Sequence, residues 1–505
     1  MTAASDITAP GWPHCGEGAS ADDPVGCRGI RVAAGGPCLR HLPPADYAAH
    51  LGALTAGSDL DLRGTGIDEN LLKDLLGACT DPATGRARFG RTDFTLAAFT
   101  GDADFRGATF TGDATFNAAT FTGDARFDGA TFEGLQHLGP LVCAGRIGFD
   151  SARFTGAQVT VEAAASYVTC ERAAFEGSAV LRLRCAIVHL SRASMSAPVA
   201  LQAWPVPFTA RDGSALDESL VSAGGPPGVR LASLGGVDAA QLVLTDVDLS
   251  RCQFTGAFHL DQIHIGFGCR FAAPPAGWRR RGVLPARWSR RKVLAEEQHW
   301  RAQVDGARAR GWPAGPHHGV PERGAGPGEL VGVYQQLRKA FEEAGNEPDA
   351  ADFYYGEMEM RRNDGRRPRA ERRLLGAYWL ASGYGLRASR ALSWLLAAMG
   401  ASLLLLVLFG LPDDAPDPET TGTYDSGTVR TTTRTPDPVL TLPWGDRVTG
   451  ARAEKAALVV VNSVVFRSSG QNLTLPGTAV EMASRIGEPV LLGLAALAVR
   501  GRVKR

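Results

Sequence analysis

Three cysteines and a histidine lie close together near the start of the chain: Cys15, Cys27, Cys38 and His41. Thiolate sulfur and imidazole nitrogen are donors that zinc prefers. A closed Cys3His set makes a structural site, with no open position for a substrate. The surrounding residues are rich in glycine and poor in large apolar side chains. A bound ion would therefore supply folding free energy that a core cannot. Only Cys38 and His41 form a short chelating pair, and His14, beside Cys15, is the nearest substitute for His41. The competing reading is three free thiols.

Elsewhere the chain lacks the spacings that catalysis needs. There is no G-x-x-x-x-G-K-[ST], no G-x-S-x-G and no H-E-x-x-H. The histidines are scattered, apart from His317 and His318 in a Pro/Gly-rich stretch. These absences point away from an enzyme. Nine cysteines, an odd number in a chain of 505 residues, suit a reducing compartment better than a disulfide framework. Met1 to Pro13 has neither the basic start nor the apolar run of a secretory signal.

The elements that would carry such a head begin with a phenylalanine that returns every five or six residues. Phe89, Phe94, Phe99, Phe105, Phe110, Phe116, Phe121, Phe127 and Phe132 follow one another in this way, most with an alanine two positions earlier. Helices repeat at 3.6 residues and strands at 2, so neither explains the period. A short fixed repeat marks a solenoid, in which coils stack and bury a one-dimensional core. The Ala-x-Phe-x-x unit over 87–132 resembles the pentapeptide-repeat family. That resemblance implies a right-handed, quadrilateral β-helix, with each Phe pointing inward onto the Phe of the next coil and each Ala in a narrow second slot. One extra residue follows every second copy (Asp102, Asp113, Asp124) and reads as a corner bulge. These three aspartates are expected to form a ladder on one edge, with too few oxygens for calcium. A ragged pattern continues through Phe149, Phe154 and Phe175 and is clean again at Leu244, Leu249 and Phe254. The β-helix is expected over 86–275, interrupted by a loop near 205–228.

Ala391 to Leu411 carries no charge and is long enough to span about 30 Å of hydrocarbon. Arg372, Arg373, Arg387 and Arg390 precede it; Asp413, Asp414, Asp417 and Glu419 follow. The positive-inside rule then places the large N-terminal part in the cytoplasm, at the cell membrane. The basic end, Arg500 to Arg505, suggests a second crossing that returns the C-terminus to the cytoplasm. Such a crossing, reaching back to Thr478, includes Glu481, Arg485 and Glu488, which can pair along one helix face. Polar groups at that depth point to a protein interior, and hence to a homo-oligomer. Residues 391–505 resemble a two-helix ion-channel pore module, and residues 350–360 resemble a segment of bacterial pentapeptide-repeat membrane proteins. The potassium-filter sequence Thr-Val-Gly-Tyr-Gly is missing, so the module reads as a degenerate pore.

The chain therefore divides into a Cys/His-rich head (1–50), a short helical cap (51–85), the β-helix (86–275) and a basic Pro/Gly-rich linker (276–328). A helical hairpin (329–363), a basic juxtamembrane segment (364–390) and the transmembrane module (391–505, external loop about 412–455) complete it. The basic runs 279–292 and 361–373 suit anionic lipid headgroups. Nucleic acid is disfavoured, since no stacking platform accompanies the charge. The β-helix holds nearly balanced charge, unlike a rod that mimics DNA. Two functions fit: a non-enzymatic, membrane-anchored scaffold that presents the β-helix to a protein partner, or a channel-like or sensory protein whose soluble part gates a pore-like module. One structural zinc is the only cofactor expected.

Overall fold

The structure, a computed structural model, describes residues 9–503 apart from 212, 223–227, 277, 282–283, 288–289, 305–310, 314–323, 414–417, 426, 435, 466 and 469. The chain forms two compact units, Met1–Glu357 and Met358–Arg505.

The first unit is a β-solenoid whose coil repeats every 22 residues where the phenylalanines are densest. Phe99 stacks on Phe121 at 4.4 Å, Phe105 on Phe127 at 5.1 Å and Phe110 on Phe132 at 5.1 Å, each pair within 5° of parallel. All nine repeat phenylalanines are buried, as are the alanines beside them. Each buried Phe contributes on the order of 1.5–3 kcal/mol, and offset ring pairs add to that. Four faces surround this stack, each built from two- or three-residue parallel strands. Thr92–Asp93, Ala98–Thr100, Ala103–Asp104 and Thr109–Phe110 supply one round. The next round pairs in register, for example Ala103 with Ala125 and Phe110 with Phe132. At one corner the chain turns through a left-handed residue in every coil: Gly107, Gly129, Ser151, Arg172 and Arg192, with φ between +57° and +69°. Glycine enters that region without strain, and later coils accept other residues there.

Two extra residues per coil, one every 11, give the 22-residue round. Asp102 and Asp124 therefore share an edge, and Asp113 falls half a coil away. The expected single edge of three aspartates is thus two edges. On the first, the carboxylates act as rungs: Asp102 accepts from the backbone N–H of Asp124 at 2.9 Å, and Asp124 from that of Arg146 at 2.9 Å. Further along, the strands lengthen to His137–Gly148 and Gln158–Thr169, and valine and leucine replace most of the phenylalanines inside. An excursion after Ala203 rejoins the ladder at Arg230; the last paired strand is His264–Ile265. Buried Arg184 holds the excursion through Glu218 at 2.7 Å.

Both ends are closed. At the start, Leu60–Asp61 and Gly66–Asp68 already pair with Thr92–Asp93 and Ala98–Thr100, so coils begin before residue 86. Helix α1 (Pro44–Ala53) precedes them. Helix α2 (Glu69–Ala78) follows, capped by Asp68, whose carboxylate accepts from Leu71 N, and it buries Leu71, Leu72 and Leu75. At the far end, α3 (Ala295–Val304) and the hairpin α4 (Pro327–Glu343) and α5 (Glu347–Asn363) cover the last coil. Phe271 meets Phe254 at 6.0 Å, Phe341 at 6.1 Å and Phe353 at 5.0 Å, which continues the aromatic core into the hairpin. Glu296 accepts from the backbone N–H of Phe254 and Thr255, and Gln336 from that of Leu260. Solenoid ends need such closure, because their last ladder groups have no next coil to bond.

The basic run 279–292 departs from a plain linker. Trp278–Arg281 and Leu284–Arg287 form an antiparallel ribbon, whose side chains lie outside the described residues. Arg291 is buried beside Glu297, and Lys292 pairs with Asp349 at 2.7 Å, so the end of the run faces protein.

The second unit holds α6 (Arg369–Ser382), then α7 (Ala388–Leu405), which ends in a π turn at Leu406–Gly410. An antiparallel ribbon, Glu419–Asp425 with Thr428–Arg434, fills part of the expected external loop. Asp414 and Asp417 lie outside the described residues. Helices α8 (Gly450–Val464) and α9 (Leu475–Val503) follow. Two stretches, Ala388–Gly410 and Leu475–Val499, are long and apolar enough to cross a membrane, with mean hydropathy 2.3 and 1.4.

Candidate metal centre

The head folds as a knuckle. Cys15 N donates to Gly29 O, Gly16 N to Cys27 O and Cys27 N to Glu17 O, which lays the segment around Cys15 beside that around Cys27. The reversal between them needs glycine at 26: a Cβ there would sit 2.8 Å from Ala19 N, on a backbone with φ +63°. Cys38 arrives beside Arg31, and a 3-10 turn over Leu39–His41 swings the imidazole back towards its sulfur. Gly29 makes room for Cys38, since a Cβ at 29 would lie 2.8 Å from the Cys38 Cβ.

The sulfurs of Cys15, Cys27 and Cys38 and a ring nitrogen of His41 all lie within 4.8 Å of one another. The Cys27 and Cys38 sulfurs are 3.7 Å apart, and His41 Nδ1 is 3.5 Å from both Cys15 Sγ and Cys38 Sγ. A tetrahedral ion with metal–sulfur bonds near 2.3 Å and a metal–nitrogen bond near 2.05 Å has edges of about 3.8 Å and about 3.6 Å. A disulfide would need about 2.05 Å; all nine cysteines are free. This group could hold a metal ion. His14 turns its Nδ1 to Trp12 O and is outside the set. Burial pushes the Cys38 thiol up to about 12, with repulsion from Cys27 adding to it. Cys15 is held below its ordinary value: burial raises it, but hydrogen bonds from the backbone at Cys38 and Glu17 outweigh that.

The knuckle is joined to the solenoid. Ile30 N donates to Arg63 O at 2.8 Å, and the Arg63 guanidinium lies 5.2 Å from the Trp12 ring. An ion at this site would tie the N-terminal closure together. It would do no chemistry on a substrate, since all four positions are filled by protein.

In the second unit Glu488 is buried and accepts from Ser402 Oγ at 3.0 Å. Of the polar group expected from Glu481, Arg485 and Glu488, Glu488 thus meets the other apolar helix of the same chain. Two features escaped the sequence reading. Arg452 donates to Val407 O, Leu411 O and Pro412 O at 2.8–3.2 Å, and Thr474 Oγ1 to Phe409 O at 2.7 Å. They satisfy carbonyls that the helix end leaves open. The other is the buried cluster of Glu297 with Arg291, Arg301 and Tyr334. A carboxylate four residues before an arginine was the only local signal for it.

Residues 94–135 match the family described as pentapeptide repeats (9 copies). No curated protein and no solved structure matches the chain.

Proposed function

We propose that this pentapeptide-repeat chain is a membrane-anchored, non-enzymatic scaffold, and that its solenoid binds a protein partner through its side faces. The observation that carries this reading is the closure of the solenoid at both ends. A head with α2 occupies one end and the α3–α5 helices the other, so stacking onto another coil is blocked and the lateral faces carry the exposed side chains. Zinc in the Cys15, Cys27, Cys38 and His41 group stabilises the first closure, because its edge lengths fit a tetrahedral ion and its donors are those zinc prefers.

The apolar helices anchor the chain, with Arg372, Arg373, Arg387 and Arg390 on the cytoplasmic side of the first and Asp413 beyond it. Two crossings bring the C-terminus back to the cytoplasm. Alkaline carbonate extraction of native membranes tests the anchor: the chain stays in the pellet, and its release would end this reading. A photo-crosslinking residue at Arg88, Arg153 or Tyr167, all exposed on the solenoid, tests the scaffold. A discrete protein adduct confined to one face is expected, and no adduct from any face would refute the proposal.

One observation favours the channel-like reading. Helix α8 packs Ala456, Val459 and Val460 against Leu406, Val407 and Leu411 of the first apolar segment. The non-helical stretch after it returns to that segment through Thr474. Planar-bilayer recordings decide: steady single-channel currents from purified protein would replace the scaffold reading with a gated pore.

A further inference from the structure

We infer that α6 is an interfacial helix whose outer stripe lies on an anionic phospholipid surface, with its basic end among headgroups and its apolar end in the acyl boundary. This rests on the anchored reading above.

Helix α6 is held by residues of α5 and α7. Arg390 donates to Trp379 O at 2.8 Å and, with Arg362, flanks the Trp379 ring at 4.9 and 4.7 Å. Trp394 Nε1 donates to Leu380 O at 3.1 Å, which fixes the last turn of α6 to the beginning of α7. The connection is a left-handed turn at Gly383, Tyr384 and Gly385, locked by Tyr384 Oη donating to Glu359 at 3.0 Å.

The opposite side has a different character. Arg369, Arg373, Leu374, Ala377 and Leu380 are all exposed and fall within one face of the helix, about 140° wide at 3.6 residues per turn. The stripe is ordered along the axis. Its first turn offers two guanidinium groups. The later turns offer leucines, with Leu374 71% and Leu380 51% exposed. From Arg369 to Leu380 the helix advances about 16 Å at 1.5 Å per residue. An interfacial helix buries its apolar face about 5–10 Å into the headgroup and acyl boundary, a depth that this axial advance reaches with the helix tilted about 20–40° from the membrane plane.

The stripe is also continuous with a surface that the anchored reading already gives to lipid. Leu392, Trp394 and Leu396, at the start of α7, are 45–61% exposed. Guanidinium groups next to such a surface select phosphodiester anions, and phospholipid supplies both the anion and the hydrocarbon in the right order. A soluble acidic partner would explain Arg369 and Arg373 and leave Leu374 and Leu380 in water.

The test uses full-length protein in nanodiscs of phosphatidylcholine with phosphatidylglycerol. A diazirine-bearing leucine analogue replaces Leu374, Leu380 or Leu404 in turn, and mass spectrometry identifies the photo-adducts. Leu404, 57% exposed within the first apolar helix, reports on the anchor. Phospholipid adducts are expected at all three positions. At position 374 phosphatidylglycerol should be enriched at least twofold over the bulk ratio, and R369Q/R373Q should return it to bulk. Lipid adducts at 404, with only water or protein adducts at 374 and 380, overturn this inference and leave the anchor standing. No lipid adduct at 404 removes the anchored reading itself. Lipid adducts at 374 in the bulk ratio overturn the anionic preference.

Discussion

Replacing Glu297 by glutamine should unfasten the closure at the C-terminal end of the solenoid. The carboxylate is fully buried and accepts from Arg291, from Arg301 Nε at 2.7 Å and from Tyr334 Oη. Glutamine keeps the shape and removes the charge that both buried guanidinium groups face. Removing one member of a buried ion pair costs about 3–5 kcal/mol. The titration of the group gives a second figure. Burial acts to raise the carboxyl, but Arg291 and Arg301 dominate and hold it at about 2, against an ordinary 4.5. At about 1.4 kcal/mol per unit, that difference is about 3 kcal/mol. A carboxyl depressed in the folded state stabilises above its unfolded pKa and ceases to do so as it is protonated. The contribution is therefore present above about pH 4.5 and lost as pH falls towards 2. Melting of the full-length protein in detergent, followed by tryptophan fluorescence, should show E297Q lower by about 4–7 °C at neutral pH. Trp312, buried against Arg301 at 5.3 Å, reports locally. The gap to wild type should close in acid, where the wild type loses the same term. Neighbouring Glu296 is pushed up by burial and protonates earlier in the descent, so E296Q serves as the control for its share. The combined change of Arg291, Glu297 and Arg301 to methionine removes the three charges together and should recover most of the loss. If E297Q melts with the wild type and keeps its acid dependence, the cluster does not secure this end.

Three other outcomes follow from the same structure. Phe116→Ala opens a cavity between Phe94, stacked at 4.8 Å, and Phe127, at 5.7 Å, and should cost about 3–5 kcal/mol in thermal melts; an unchanged melt would contradict the inward stack. Cys38→Ser should abolish stoichiometric zinc by elemental analysis and speed proteolysis within residues 9–41, whereas His14→Ala should leave both unchanged. Glu218→Ala strips Arg184 of its buried partner and Phe208 N of its acceptor, so a protease should cut the 204–229 excursion while the solenoid stays intact; resistance equal to wild type would dismiss that latch.

The repeat could be read in advance because a stack of identical rings fixes one spacing, and that spacing survives in the order of residues without any knowledge of contacts. Its finer geometry was only half legible. Insertions at 102, 113 and 124 look alike in sequence, yet a 22-residue round puts the middle one on another edge. The metal group was legible for a similar local reason: Cys38 and His41 declare a chelate, and the distant Cys15 and Cys27 need only the glycine reversal between them to arrive. The charges resisted. Arg291 reads as one more member of a basic run, but its partners reach Tyr334, 43 residues on. Ser402 and Glu488 are 86 residues apart.

Two further charges, Glu296 and Arg452, have a common physical origin. Wherever a hydrogen-bonded ladder stops, it leaves backbone groups without their regular partner: N–H and carbonyl groups in alternation at the edge of a β-ladder, carbonyls at the C-terminal end of a helix. At the last coil of the solenoid a carboxylate meets two of the N–H groups: Glu296 accepts from Phe254 N and Thr255 N, and from the Thr255 hydroxyl. The first apolar helix ends in carbonyls, and a guanidinium meets them: Arg452, on Val407, Leu411 and Pro412. In sequence both residues look like ordinary surface charge. Their function follows from the backbone groups they face, and those are known only once the fold has placed them. A charged residue that the pattern predicts to be solvated is therefore best checked first against the nearest ladder end, before a ligand or a partner is assigned to it.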